Sequence, residues 1–321
     1  MKTGVGLQGS GGSMKFLLLR VFAVVALVLL VMPTGPRASQ APAGQPPVIR
    51  ARVEMVNLLL SVIDKRGRLV PGLTKGDFEV LEDGKPQSIE FFSFAGEAES
   101  LPVTMTLLVD TSGSIKPILP QASGVAYDFL EAVLRPDKDI VAVIQFDSTV
   151  TLVQDYTSDL GRLKSALQTL RAGGSTSLYD AVYLGIEEKL KGETGRRVLV
   201  VVSDGADTSS TTSRKEVIDR AQKSDIVMYA MGIRDRRDSS DFDALKDLTR
   251  ETGGDFFPVS KNTIDMQKAM QAIHQTIANQ YNISYRSTNA IRDGKFRRLQ
   301  VRLKKDGLKA RHRAGYYGPS S

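Results

Sequence analysis

Residues 103–114 read VTMTLLVDTSGS, an apolar run that turns polar within a single residue. The apolar part, residues 103–109, has the length and composition of a β-strand that is covered on both faces. The polar part, Asp110-Thr111-Ser112-Gly113-Ser114, follows it directly. In open α/β sheets, ligands bind beyond the carboxyl ends of the strands. This boundary therefore predicts a buried parallel strand with a binding site at its end.

Further apolar runs and helical patterns alternate over residues 101–280. The strand-like runs are residues 140–146 (IVAVIQF), 198–202 (VLVVV) and 226–233 (IVMYAMGI). Apolar residues recur at helical spacing in 118–134 and 160–170, and 178–190, 214–224, 241–252 and 263–280 are further helix candidates. This alternation predicts an α/β domain at 101–280, with a doubly wound, mostly parallel sheet and helices on both faces.

The two flanking segments have strand patterns instead. Residues 53–63 are apolar and rich in β-branched side chains, and alternating apolar residues lie on either side of Asp83-Gly84, a strong hairpin signal. After the α/β block, residues 281–285 and 299–303 alternate again. Because a few strands alone are only marginally stable, we expect residues 48–98 and 281–318 to pack together as one β-sandwich.

The first residues are typical of a targeting signal. Lys15 and Arg20 precede the apolar run 21–31, and prolines and small residues follow it. This layout predicts a secretory signal peptide and the start of a linker within residues 1–43, and hence a periplasmic or extracellular protein. An uncleaved amino-terminal membrane anchor is the alternative.

The composition excludes several classes of catalytic and metal-binding site. The 321 residues include no cysteine and only two histidines, His274 and His312, so zinc–thiolate sites and cysteine nucleophiles are excluded. No phosphate-binding GxxxxGK[ST] loop occurs, and neither histidine lies near a serine in a nucleophile motif. We therefore expect a protein that is not an enzyme. A metal-dependent hydrolase built on Asp110 and Asp204 is the remaining catalytic alternative, which the neighbouring hydroxyls disfavour.

Oxygen-bearing side chains gather in three loops. Asp110, Ser112 and Ser114 share the first loop, Thr176 lies in the glycine-rich segment GGSTSLYD that begins at residue 173, and Asp204 follows the strand 198–202. All three loops belong to the same edge of the predicted sheet. Carboxylates and hydroxyls are the ligands that hard cations such as Mg²⁺ prefer. Asp180 and Asp207 lie nearby and are interpreted as a helix-start residue and a turn residue that could support the ligand loops.

This constellation resembles the von Willebrand factor type A domain family, whose metal-ion-dependent adhesion site has the pattern D-x-S-x-S, then Thr, then Asp. The resemblance covers about residues 101–280. It implies that Ser112, Ser114 and Thr176 ligate a cation directly, with Asp110 and Asp204 acting directly or through water. The cation would be Mg²⁺, or Mn²⁺ or Ca²⁺, and a partner protein would supply an acidic residue to its open position.

The resemblance also has implications outside the site. The family fold includes one short antiparallel edge strand, for which residues 149–155 are the candidate. The segments 77–80, 82–87 and 315–317 resemble the flanks of exported bacterial proteins related to this family.

The chain carries a formal net charge of +7, with many basic residues between 286 and 313. Some alternate with apolar residues, which is typical of a solvated sheet face. A basic surface that binds anionic lipid or cell-wall polymer, with a structural metal site, is the alternative function. The chain has no tryptophan and no basic stripe interleaved with aromatics, so nucleic-acid binding is not expected.

Overall fold

A computed structural model describes residues 55–97, 100–234 and 242–320. The predicted signal peptide and linker lie outside these residues. The strands are β1 (Met55–Asp64), β2 (Phe78–Glu82), β3 (Lys85–Gln87), β4 (Ile89–Phe94), β5 (Val103–Asp110), β6 (Ile140–Phe146), β7 (Val150–Thr157), β8 (Arg196–Ser203), β9 (Ile226–Arg234), β10 (Phe256–Ser260), β11 (Tyr281–Arg286), β12 (Phe296–Leu303), β13 (Leu308–His312) and β14 (Gly315–Tyr317). The α-helices are α1 (Leu119–Val133), α2 (Leu160–Thr169), α3 (Leu178–Leu184), α4 (Arg214–Lys223), α5 (Asp243–Thr252) and α6 (Thr263–Ala278). A short 3-10 turn covers Lys75–Asp77, and a π-helical segment, Gly185–Leu190, extends α3.

The central sheet has the order β10-β9-β8-β5-β6-β7. Its first five strands are parallel, and β7 pairs with β6 in the antiparallel sense. Every residue of β5 is buried, because α1, α2 and α6 pack on one face of the sheet and α3, α4 and α5 on the other. The predicted doubly wound fold, with its antiparallel edge strand, is confirmed.

Strand β10 was not among the predicted strands. It is only five residues long and contains Pro258, which has no N–H to donate to a sheet. Proline is tolerated in edge strands, and β10 is the edge strand beside β9. The proline and the short length explain why the sequence does not predict this strand. Because β10 is at the edge of the sheet, the missing N–H leaves no neighbouring strand without a hydrogen bond.

The flanking strands form two antiparallel sheets, β13-β1-β11-β4 and β14-β12-β2-β3. Each sheet combines strands from both ends of the chain; β1, for example, lies between β13 and β11. Their facing side chains, including Tyr281 and Tyr285, form a separate apolar core. The predicted β-sandwich, assembled from the amino- and carboxyl-terminal segments, is thus the observed architecture.

The turn at Asp83-Gly84 joins β2 to β3, and both of its residues have positive φ, 48° and 78°. This geometry fits the hairpin that the Asp-Gly pair predicts. Phe91, two residues after the buried Ile89, is 43% exposed. The register of β4 against β11 shifts between Ile89 and Phe91. The bulge moves the inward face to Phe92, which packs against the sandwich core.

Two of the carboxyl-terminal arginines are buried and so do not contribute to a solvated basic face. Arg297 is 2% exposed and Arg313 5% exposed. Arg297 lies 3.5 Å from the carboxylate of Glu82, which is itself 2% exposed. The Glu82 carboxylate also accepts hydrogen bonds from the hydroxyls of Tyr285 (2.7 Å) and Tyr316 (2.9 Å). These groups form a polar network within the sandwich.

Asp139, at the amino-terminal edge of the central sheet, should make stability depend on pH. Its carboxylate accepts the Val103 N–H (2.7 Å), the Arg135 N–H (3.0 Å) and two hydrogen bonds from the Arg135 guanidinium (2.6 and 2.7 Å). Burial opposes ionisation, but these hydrogen bonds outweigh it and hold the pKa of Asp139 below its ordinary value. The stabilisation is therefore present above the unfolded pKa of 3.8 and is lost as pH falls through the folded pKa.

We expect Asp139→Asn to lower the free energy of unfolding by about 2–3 kcal/mol at neutral pH. The difference from wild type should shrink progressively below about pH 4. Urea titrations of both proteins across this pH range measure it. An equal difference at every pH would show that the charge of Asp139 does not contribute.

Candidate metal centre

The predicted site residues lie at the carboxyl ends of two neighbouring parallel strands. Asp110 is the last residue of β5, and Asp204 follows directly after β8. Because β5 and β8 are paired in register, these ends lie side by side. The segment that contains Thr176 leads into α3 at the same edge.

Asp110 is fully buried, and both of its carboxylate oxygens accept hydrogen bonds. Oδ1 accepts the Ser112 N–H (2.8 Å), and Oδ2 accepts the Ser203 hydroxyl (2.6 Å). Burial raises the pKa of the Asp110 carboxyl above its ordinary value, and the nearby charge of Asp204 raises it further, against these hydrogen bonds. An ionised carboxylate at this position would therefore be stabilised by a cation.

The hydroxyls of Ser112 and Ser114 lie 3.0 Å apart. Adjacent ligand oxygens of an octahedral Mg²⁺ site, each about 2.1 Å from the ion, are about 3 Å apart. The spacing of this pair therefore fits two neighbouring ligand positions of a small divalent cation.

Backbone hydrogen bonds fasten the first loop to the glycine-rich segment. The Gly113 N–H donates to Gly174 O (3.1 Å), and the Gly173 N–H donates to Thr111 O (2.8 Å). Gly174 has a φ of +73°, and a Cβ there would lie 2.6 Å from Ser148 Oγ. A residue with a side chain would be strained at this φ and would displace the Ser148 hydroxyl, so glycine suits this position.

Thr176 and Asp204 complete the predicted set. Thr176 is 4% exposed and its backbone is hydrogen-bonded to Thr208, whose own loop follows Asp204. Asp204 is 8% exposed and accepts the Ala206 N–H (3.2 Å). The five predicted residues lie at one edge of the sheet, Asp110 at the end of β5 and the other four in the segments that follow β5 and β8 or precede α3.

Asp180 and Asp207 hold neighbouring backbone in place. Asp207 Oδ1 accepts the Tyr179 N–H (3.1 Å), and the Asp180 carboxylate accepts the N–H groups of Thr211 (2.9 Å) and Thr212 (2.8 Å). Although burial acts in the other direction, these hydrogen bonds lower the pKa of Asp180. Both residues connect α3 to the loop after Asp204.

Sequence reasoning missed Ser203. This buried serine donates to Asp110 Oδ2, and its Oγ accepts the Gly205 N–H (3.0 Å), so it joins the two carboxylate loops. The available signal was a hydroxyl residue ending an apolar strand immediately before Asp204. Its partner, 93 residues earlier in the chain, becomes evident only from the pairing of β5 with β8.

The donor set fits a hard cation. It comprises two carboxylates and three hydroxyls, and neither carboxylate forms an ion pair with a lysine or arginine that the structure describes. Within residues 55–97, 100–234 and 242–320 there is no group of three or more His, Cys, Asp or Glu side chains placed to hold a metal. Only two of the five candidate donors are of these types.

The von Willebrand factor type A domain model matches residues 105–279. Human matrilin-3 is 28% identical over 173 residues, which are 49% of this chain and 34% of matrilin-3. Mouse matrilin-3 is 26% identical over 200 residues, 57% of this chain and 40% of that protein. The chain thus spans about a third of the length of these curated relatives, or slightly more.

Solved structures with similar folds include BatB from Bacteroides thetaiotaomicron, with a TM-score of 0.45 and 18% identity over 55% of this chain and 97% of that one. Another is proximal thread matrix protein 1 from the mussel byssus, whose structure has a zinc-occupied metal-ion-dependent adhesion site (MIDAS) motif. It has a TM-score of 0.48 and 16% identity, over 58% of this chain and 48% of that one. Among the helices of the described residues, none has the length and apolarity needed to cross a membrane.

Proposed function

The chain belongs to the von Willebrand factor type A domain family, and from this membership we propose that it binds a partner protein through a divalent cation. Asp110, Ser112, Ser114, Thr176 and Asp204 would hold the cation. The observation that supports the proposal is that two buried carboxylates, neither with a described cationic partner, lie at the same edge of the sheet as three hydroxyls, two of which are 3.0 Å apart.

The donor chemistry suits adhesion. Two carboxylates formally balance a divalent charge, whereas hydroxyls are neutral and weak donors. The bound cation would supply an electrophilic coordination position for an acidic side chain of the partner. Mg²⁺ fits the 3.0 Å hydroxyl spacing, and Mn²⁺ or Ca²⁺ could replace it where they are more abundant. Ser203 would hold Asp110 in orientation.

We propose that the site acts without catalysis. A hydrolase would need a base positioned beside a nucleophile or a water. His312 is engaged in the sandwich, where its Nε2 accepts the Val301 N–H and its Nδ1 contacts Arg313 O. His274 is half-buried in α6, and burial lowers its pKa. No hydrogen bond described for either histidine involves the five candidate ligands.

We also propose export through the amino-terminal signal, to the periplasm or the extracellular space, with retention by an uncleaved anchor as the alternative.

The support for the alternative basic-surface function is weaker than the charge count suggests, because Arg297 and Arg313 are buried within the fold.

A capture experiment tests this proposal. The immobilised chain is exposed to the secreted and envelope proteins of its source, in Mg²⁺ and in chelator, beside Asp204→Ala and the control Asp219→Asn, which removes a carboxylate from α4. We expect chelator and Asp204→Ala each to reduce recovery of the partner by about tenfold or more, and Asp219→Asn to leave it unchanged. Recovery that survives chelator but is lost at raised salt would favour the basic-surface alternative instead.

A further inference from the structure

A polar cavity lies at the amino-terminal edge of the central sheet, the edge opposite the candidate metal centre. It has a volume of about 130 Å³ and is bounded by the amino-terminal ends of β8 and β9 on one side and by β1 and β11 of the sandwich on the other. The charged and amide side chains that line it are Arg196, Arg197, Arg313, Asp225, Asn57 and Asn282. The cavity thus lies where the α/β domain meets the sandwich.

Positive charge exceeds negative charge around this cavity. Three arginines line it with a single carboxylate, that of Asp225. Asp225 pairs with both Arg197 (3.2 Å) and Arg313 (2.5 Å). One carboxylate therefore serves two guanidinium groups, and Arg196 has no ion pair among the residues that the structure describes.

Arg196 is 4% exposed and donates only to neutral oxygens. Its guanidinium contacts Leu101 O (3.3 Å), Ile277 O (2.8 Å) and Gln280 Oε1 (3.4 Å). Burial, together with the neighbouring positive charge of Arg135, lowers the pKa of Arg196 to about 10. The Asp139 carboxylate opposes this shift, but it is bound to Arg135 and forms no ion pair with Arg196, so the buried charge of Arg196 favours an anion nearby.

Arg313 adds an unmet hydrogen-bond donor. Its Nη2 donates to Asn57 O (2.7 Å) and its Nη1 binds Asp225, but its buried Nε has no partner within the described part of the chain. Buried donors in folded proteins are nearly always paired with protein groups, water or ions. A ligand in the adjoining cavity would supply the missing acceptor.

We propose that this cavity binds a small inorganic anion, a halide or an oxyanion such as phosphate, at the junction of the two domains. The volume can hold such an ion together with water, since one water molecule occupies about 30 Å³. Water alone could satisfy the Arg313 Nε, but it would leave the excess of two positive charges uncompensated. The anion would stabilise the contact between β8–β9 and the sandwich, independently of the metal centre.

Thermal unfolding of the purified full chain tests this site. Chloride and phosphate are each compared with gluconate, a bulkier anion, at constant ionic strength and without divalent cations. We expect the melting temperature to rise along a saturable curve in chloride or in phosphate, by about 2–3 °C at ten times the dissociation constant. Arg196→Gln should abolish the rise, whereas Arg302→Gln, on the solvent side of β12, should keep it.

A crystallographic measurement on the wild type covers the case in which Arg196→Gln does not fold. Crystals soaked in bromide should show an anomalous peak in the cavity beside Arg196 and Arg313, and phosphate-grown crystals should show a tetrahedral feature if the oxyanion is preferred. Equal melting temperatures in all three anions, together with no anomalous peak in the cavity, would overturn the proposal.

Discussion

Arg297→Met is expected to lower the free energy of unfolding by about 3–5 kcal/mol, because it leaves the Glu82 carboxylate buried without its cationic partner. Both side chains are at most 3% exposed, so water cannot replace the lost interaction. Arg297 also donates to Asn289 O (2.9 Å), which would lose this donor. Urea unfolding followed by circular dichroism measures the difference.

Arg302→Met is the matched control. Arg302 lies on the same strand, but its side chain is 56% exposed and 3.8 Å from Glu79, so we expect a change of less than about 1 kcal/mol. The double variant Glu82→Leu/Arg297→Met should recover part of the loss, since no unpaired charge is left buried. A loss from Arg297→Met no larger than that from Arg302→Met would contradict the burial of this pair.

Without divalent cations, Asp110→Asn is expected to be more stable than wild type at neutral pH, by about 1–2 kcal/mol. The asparagine keeps the shape of the side chain and can still accept the Ser112 N–H and donate to the Ser203 hydroxyl. It removes a fully buried negative charge that lies near Asp204. Denaturant unfolding in chelator measures the gain.

The stability difference between Asp110→Asn and wild type should depend on pH and on Mg²⁺. The folded pKa of Asp110 is raised, so the folded state holds the proton more tightly than the unfolded state, and wild-type stability falls as pH rises from 3.8 through the folded pKa. The gain in Asp110→Asn should therefore disappear below about pH 4. Saturating Mg²⁺ should reverse the order at neutral pH, because only the wild type gains stability from binding. A variant that remains more stable in Mg²⁺ would contradict the role assigned to Asp110.

The sequence was most informative where an apolar run is followed directly by polar residues. A carboxylate ends β5 and another directly follows β8, so in a parallel sheet Asp110 and Asp204 are predicted to lie at one edge. The glycine-rich segment before α3 offered Thr176, and the family resemblance then implied which of these residues ligate the cation directly. Their roles as ligands remain a prediction, which the geometry of the loops supports.

Long-range pairing was not accessible from the sequence. Ser203 is separated from Asp110 by 93 residues, and Glu82 from Arg297 by 215. Arg297 lies on the same face of β12 as Leu299 and Val301, but the strand pattern does not reveal the buried carboxylate that it meets there. The bulge in β4, which places Phe91 outward, is likewise a property of strand register.

Calorimetric titration of Mg²⁺ into the wild type, Asp204→Ala and the control Asp219→Asn is the most direct measurement of the metal centre. The account predicts binding of one ion per chain in the wild type and in Asp219→Asn, and no binding heat in Asp204→Ala, with all three proteins folded by circular dichroism. Equal binding heat in the wild type and Asp204→Ala would contradict it.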